Sequence, residues 1–363
     1  MRILFVTKRH PQQRDLIERP YGRFHYLPVA LARAGHDVGV TMCSIRRLRS
    51  ARLVRDGVSI SSHDVFALGL PALWQTLLTE ARAFRPDWII GCADSWTAVL
   101  AARLARRVGA QLAIDVYDNY EAYMPWNLPL RWAWRRAVFS AALVTAAGPQ
   151  LAQHLQQFRP NKRRAEVVPM AADPEFIQRD RMSCRAALSL PATAPLLGYI
   201  GSWARRRGTD GLIDSFDRIK QVRADARLVL SGTPPAAVSA HPGVIALGYL
   251  RDADVPLLVC ALDVACVITA DTPFGRHSYP AKLCEAMACG VPVVATASAP
   301  ICWMLGDDAR FLAQVGNAED LASRALANLA LTNVAYPNVG SWTDSARQLE
   351  TLLKFPEANT AGG

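Results

Sequence analysis

Residues 278–296 read SYPAKLCEAMACGVPVVAT, and within this stretch the pattern turns from helix to strand. Ser278 is a residue type that caps helices, and Pro280 suits a first turn, where a missing N–H costs nothing. Leu283, Ala286 and Met287 then recur at helical spacing and supply a packing face. Cys289-Gly290 closes the helix, because glycine readily takes the left-handed conformation that ends one. A Val-rich run at 291–295 follows as a strand. Lys282 and Glu285, three apart, share another face of the helix. A cation there suits a diphosphate and, a turn deeper, a carboxylate suits sugar hydroxyls. By spacing alone an ordinary surface ion pair is the stronger reading.

The same alternation runs twice through the chain. The first half shows strand patterns at 2–7, 37–42, 87–91, 111–116 and 143–146, separated by helical patterns such as 22–34 and 95–108. The second half shows strands at 196–201, 227–231, 244–247, 264–268 and 291–295, with helices near 210–222, 281–289 and 318–329. Strands alternating with helices predict parallel sheets covered on both faces. The expectation is an α/β chain with two doubly wound, Rossmann-like domains facing across a cleft. A length of 363 residues fits two cores better than one. The reading places the first domain at 1–173 and the second at 174–340, with the final helix, 341–355, able to pack back on the first.

Composition narrows the classes further. Half the residues are hydrophobic and a fifth are charged, which excludes general disorder. Eight cysteines are scattered without a CxxC pair, so neither a disulfide framework nor a metal site is expected. The opening MRILFVTKRHP is too short an apolar run for a signal peptide, and no stretch is long enough to span a bilayer. These features predict a cytoplasmic protein. The formal charge of +10 is either compositional bias or a sign of an anionic partner. No nucleic-acid module signature is visible, so nucleic acid is not the expected partner.

In open parallel sheets, ligands bind beyond the carboxyl ends of strands. The run 199–208, YIGSWARRRG, fits that position. Gly201 ends a strand and lets backbone approach a ligand closely, and three arginines precede a helix whose first N–H groups favour an anion. A solvated charge run on a loop is the other reading of those arginines.

At this point the chain resembles a known family. EAMACGVPVVAT, 285–296, is similar to the most recurrent motif of the GT-B retaining glycosyltransferases of glycosyltransferase family 4. In order, 2–7 resembles the family's first strand, 31–40 its second-strand approach, 166–176 its interdomain segment and 198–216 its phosphate loop and helix. The turn at 247–250, with Gly248, Tyr249 and Leu250, resembles its base-contacting turn. The resemblance implies transfer of a sugar from a UDP- or GDP-sugar to a hydroxyl, with retention and without metal or cofactor. A lipid-linked or cell-envelope glycan precursor in polysaccharide biosynthesis is the implied acceptor.

Carried over by position, Glu285 takes the place of the glutamate that binds the nucleotide ribose. His277 stands where the family's first glutamate approaches the donor sugar, and Pro280 where a glycine is usual. This is similar to a subgroup carrying P-x-K-x-x-E, in which Lys282 supplies what the missing N–H cannot. Arg207 matches the phosphate-loop lysine; Ser202 replaces an arginine, for which Arg205 or Arg206 compensates. Tyr279 and Leu283 flank the same donor site. In the first half, Tyr21-Gly22-Arg23 matches a glycine-rich turn, and Gly22 and Arg23 are expected at the acceptor or diphosphate unless the turn is a plain loop. In 115–121, DVYDNYE, Tyr117 or Asp118 occupies the place of an active-site histidine. Asp118 is favoured for the acceptor hydroxyl, as a proton acceptor, with Glu121 second. The catalytic expectation is therefore Asp118, Arg207, Lys282 and His277.

Two segments suit an anionic membrane surface. Residues 44–55 carry five arginines among Ile, Leu and Val, and 124–139 carries Trp126, Trp132 and Trp134 beside Arg131, Arg135 and Arg136. Core aromatics with a solvated basic face are the alternative. Two rival functions stay open: a GT-B-fold nucleotide-sugar epimerase, and a catalytically inactive partner subunit.

Overall fold

The computed structural model describes residues 1–160, 163–201, 203 and 208–355. The chain divides into two compact units, 1–170 with 340–363, and 171–339.

In the first unit the apolar runs become β1 (Arg2–Lys8), β2 (Asp37–Ser44), β3 (Ala51–Arg55) and β4 (Val58–Asp64). After these come β5 (Trp88–Gly91), β6 (Gln111–Val116), β7 (Leu143–Ala146) and β8 (Ala165–Val167). They form one sheet in the order β3-β4-β2-β1-β5-β6-β7-β8. β1 runs parallel to both neighbours, with Ile3 opposite Val38 on one side and Trp88 on the other. Helices cover the faces, so β5 and β7 are buried along their whole length. Only β3 is antiparallel, paired with β4. This hairpin occupies part of 44–55, which the sequence reading left without a strand. Asp56 and Gly57 both have positive φ, 50° and 80°, the backbone of a tight hairpin turn.

The helix Trp342–Lys354 belongs to this unit. A reciprocal cap between Ser341 and Asp344 starts it. Trp342 then stacks on Tyr26 with centroids 6.5 Å apart, and the Ser345 hydroxyl donates to the Pro169 carbonyl at 3.0 Å.

The second unit contains β9 (Leu196–Ile200), β10 (Arg227–Ser231), β11 (Val244–Gly248), β12 (Val264–Val267), β13 (Val293–Thr296) and β14 (Leu312–Ala313). Their order is β11-β10-β9-β12-β13-β14, with every pairing parallel. Helices Asp210–Val222 and Ala318–Asn328 bring Leu212, Phe216, Ile219, Leu321 and Ala325 onto Leu197, Leu228 and Leu230. The quoted stretch folds as helix Ala281–Ala288 and β13, with Gly290 at φ +67° between them. Two details differ from the sequence reading. Ser278 does not cap the helix: it ends a 3-10 turn, Gly275–His277, and Pro280 holds the N-cap position. The strand starts at Val293 rather than 291, because Pro292 has no N–H, although its carbonyl accepts from Ala265 at 2.8 Å.

Both sheets share one topological feature. In the first, the chain leaves β1 for β2 on one side and returns to β5 on the other. In the second, β10 and β12 flank β9 in the same way. Each reversal opens a crevice at the carboxyl ends of the central strands.

Candidate functional site

In the second unit, the crevice beside β9 and β12 is followed directly by the quoted stretch. Gly201 continues from β9 with φ +149°. A Cβ on Gly232, after β10, would lie 2.6 Å from the Gly201 carbonyl, so these two loops meet backbone to backbone. At the ends of β12 and β13 the hydroxyls of Thr269 and Thr296 stand 2.9 Å apart, with Ser298 at 3.4 Å from Thr269. Sequence reasoning passed over this hydroxyl cluster, although threonine closing a strand is a usable signal. Ser202, Arg205, Arg206 and Arg207 lie outside the described residues. Later in the sequence, the helix Asp210–Val222 carries a carboxylate, Asp210, in its first turn. That charge competes with an anion for the helix end.

The helix Ala281–Ala288 brings Lys282 and Glu285 together. The Lys282 Nζ donates to both Glu285 oxygens, at 2.8 and 3.1 Å. The Glu285 side chain is 11% exposed and that of Lys282 39%, so the carboxylate is recessed and the ammonium stands outside it. A carboxylate is an acceptor only, which is the chemistry that a ligand diol meets. His277 lies half-buried on the preceding 3-10 turn, its Nδ1 at 3.1 Å from the Pro273 carbonyl. Gly248 turns the chain after β11 with φ +65°, and Tyr249 beyond it is 83% exposed, with Leu250 half-buried. Tyr279 and Leu283 depart from expectation. Tyr279 is buried edge-on against Trp303, and Leu283 is fully buried, so both side chains build the core under the helix.

In the first unit, residues expected near the acceptor separate into interior and edge positions. Gly22, at φ +59°, is the N-cap of helix Arg23–Arg33. Arg23 turns inward: its Nε and Nη2 each donate to Asp115 at 2.6 Å, and its Nη1 to the Pro169 carbonyl at 3.0 Å. Asp115 also accepts from the Thr145 hydroxyl at 2.6 Å. The two charges are 2% and 3% exposed, so Arg23 is a positioning residue tying β6 to the chain after β8, not a ligand contact. Glu121 is corrected in the same way, since Arg135 grips it through two bonds at 2.7 and 2.9 Å. Burial alone would raise its pKa, but the hydrogen bonds and charge of Arg135 hold it below the ordinary value.

Tyr117 and Asp118 stay at the carboxyl end of β6. Burial, reinforced by the Asp118 charge, pushes the Tyr117 phenol well above its ordinary pKa, so it stays neutral and is no general base. Asp118 is buried and accepts from the Tyr123 hydroxyl at 2.8 Å. The crevice also holds a pair that sequence reasoning missed. Lys8, ending β1, forms an ion pair with Asp94, which follows β5 and is almost wholly buried. Ala93 before it takes a positive φ of 74°. An alanine held there is strained, and such positions gather at functional sites.

The comparisons with known proteins agree with this division. Residues 23–171 match the family model described as "Glycosyl transferase 4-like domain", and residues 194–330 match "Glycosyl transferases group 1". A D-inositol 3-phosphate glycosyltransferase of Stackebrandtia nassauensis is 27% identical over 182 residues, 44% of this chain and 39% of that protein. The matched part is thus under half of that relative's length. Among solved structures, Anabaena HepE in complex with UDP superposes with a TM-score of 0.70 at 16% identity, covering 99% of this chain and 98% of that one. A sucrose-phosphate synthase of Thermosynechococcus elongatus gives 0.70 at 15% identity, covering 98% and 99%. At those identities the likeness concerns the fold alone.

Proposed function

Since the chain belongs to the glycosyl transferase 4-like group of GT-B-fold glycosyltransferases, both of its halves matching that family's models, we propose that it transfers a sugar from a nucleoside-diphosphate donor to a hydroxyl acceptor. The observation that carries this reading is the recessed Glu285 carboxylate under the Lys282 ammonium, on the helix that follows the switch-point strand β12. A ribose diol donates to Glu285, and Lys282 swings to the diphosphate. Charge grows on that diphosphate as the sugar leaves, and a fixed cation is worth most where charge develops. Arg207 is assigned the same task by resemblance. With these cations the leaving group needs no metal.

The acceptor hydroxyl attacks the anomeric carbon from the face the diphosphate leaves. The new bond joins acceptor oxygen to that carbon, the bond from carbon to phosphate oxygen breaks, and the hydroxyl proton passes to the departing phosphate. Configuration is retained. On the first unit, Asp118 held by Tyr123 orients the acceptor, a glycan or lipid-linked precursor. The protein would work in the cytoplasm at the inner face of the membrane.

HepE was solved with UDP-glucose as well as UDP, which makes UDP-glucose the first donor to try. Titration with UDP and GDP, followed by transfer assays on Glu285→Ala, tests the reading. The expected result is nucleotide binding in the wild type and a loss of kcat/KM of about a hundredfold or more in the variant, comparable to removal of a transition-state donor. Normal turnover in Glu285→Ala refutes the site. Conversion of the donor without acceptor turns the reading to epimerase, and absence of any nucleotide binding turns it to an inactive partner subunit.

A further inference from the structure

A groove of about 1300 Å³ opens on the first unit between helices Ser95–Val108 and Leu128–Ser140. Ala110, Gln111 and Leu112 line it, which places it at the amino end of β6, away from Tyr117 and Asp118 at the other end. Its charged lining is Arg103, Arg106, Arg136, Arg163 and Lys354, with no acid among the described lining residues. Lys354 is paired with Glu350 at 2.6 Å, but Arg103, Arg106 and Arg136 form no ion pair with a described residue. Arg103 and Arg106 share one helix face, and Arg136 lies over the Trp132 ring at 5.5 Å.

The helix beside the groove presents apolar side chains outward. Trp134, Ala137 and Val138 face the core, while Leu128, Trp132 and Phe139 are 65%, 65% and 56% exposed. Trp126, just before the helix, is 76% exposed. Single exposed hydrophobics are ordinary, but four large ones together mark an interaction surface. Their neighbours decide the partner. A cationic groove against an apolar stripe matches a boundary that is anionic on one side and hydrocarbon on the other. The other basic segment, 44–55, fits less well. There Arg52 is bound to Glu80 and Arg55 to the Ile17 carbonyl.

We propose that this face docks the protein on an anionic lipid bilayer, with lipid phosphates in the groove and Trp126, Leu128, Trp132 and Phe139 at the boundary of headgroups and acyl chains. The proposal rests on the membrane location given in the proposed function and names its face and its lipid; its test uses no donor, so it can fail while sugar transfer stands. The full chain is sedimented with vesicles of phosphatidylcholine alone and of phosphatidylcholine with phosphatidylglycerol. Binding is expected only to the second, weakening roughly fivefold for each groove cation removed. Trp126→Ser with Trp132→Ser is expected to weaken it tenfold or more; both side chains are exposed, so an unchanged melting curve keeps that comparison sound. Equal partition onto both vesicles overturns the proposal, as does absence of binding. Undiminished binding of the tryptophan double variant overturns it too, as does a loss that follows Arg46→Glu and Arg49→Glu instead of Arg106→Glu and Arg136→Glu.

Discussion

Replacing Arg23 by methionine should destabilise the first unit by about 3–5 kcal/mol, because it strands a carboxylate in the interior. Methionine keeps the volume of the aliphatic stem, so packing is nearly conserved and the charge is what changes. In the native unit Asp115 receives two guanidinium bonds at 2.6 Å and one from Thr145 at 2.6 Å. After substitution only the threonine remains, and a neutral hydroxyl cannot balance a carboxylate that is 3% exposed. The Pro169 carbonyl loses one of its two donors at the same time and keeps the Ser345 hydroxyl. For a unit of this size each kcal/mol moves the melting point by roughly 2–4 °C, which gives a fall of roughly 6–20 °C. Scanning calorimetry reads this directly. The double variant Arg23→Met, Asp115→Leu removes both charges and should recover at least half of the loss, since replacing a whole buried pair costs far less than halving it. Affinity for UDP should stay within about twofold, because the nucleotide is assigned to the second unit. If Arg23→Met melts within about 2 °C of wild type and loses acceptor affinity instead, the guanidinium serves a ligand and the positioning role is wrong.

Lys282→Met is expected to raise the donor KM by roughly ten- to a hundredfold, the value of one charge-assisted hydrogen bond to phosphate, with Lys282→Arg recovering part. Initial rates against donor concentration check it, and an unchanged KM would reduce the lysine to a partner of Glu285. A pH effect is expected at Glu80. Burial alone would raise its pKa, but hydrogen bonding and charge from His63, with Arg52 and Ser61, bring it from 4.5 to about 2. A depressed carboxylate contributes stability that is complete above the unfolded pKa and lost as pH falls through the folded one. The window therefore runs from about 4.5 down to about 2. Discounted for partial solvent screening, the contribution is about 1–3 kcal/mol. Urea unfolding of wild type and Glu80→Gln should show a gap at neutral pH that closes as the solution is acidified through that window, and a gap independent of pH would contradict it.

What could be read from the sequence follows from how far each residue lies from its partner. Helix 281–288 was legible because its packing face, its lysine–glutamate pair and its terminal glycine all lie within one short segment. The β3–β4 hairpin is equally local and was missed for another reason. The five arginines read as a charged segment, while the Asp56-Gly57 turn carried the hairpin signal. Leu283 shows two arguments in conflict. Nearness to Lys282 suggested a donor contact, yet one residue along a helix turns the side chain by about 100°. The periodicity that assigned Leu283 to the packing face was the better guide.

Charges at strand ends are harder. Arg23 and Asp115 are 92 residues apart, and nothing near either indicates the other. Lys8 and Asp94 likewise meet only because β1 and β5 are sheet neighbours. An unpaired charge at the end of a strand reads as a ligand contact until the topology supplies its partner. The strand order β2-β1-β5 therefore carries the missing information. It places β1, β5 and β6 side by side, so their carboxyl ends share one crevice, and it sorts the charges there. Arg23 and Asp115 neutralise each other in the interior, while Asp118, buried at the carboxyl end of β6, accepts from the Tyr123 phenol at 2.8 Å. The same sorting takes Glu121 out of the acceptor side and leaves Asp118 as the carboxylate on which the proposed function draws. Glu121 has two arginines to satisfy it, and the phenol of Tyr123 fixes the direction of Asp118.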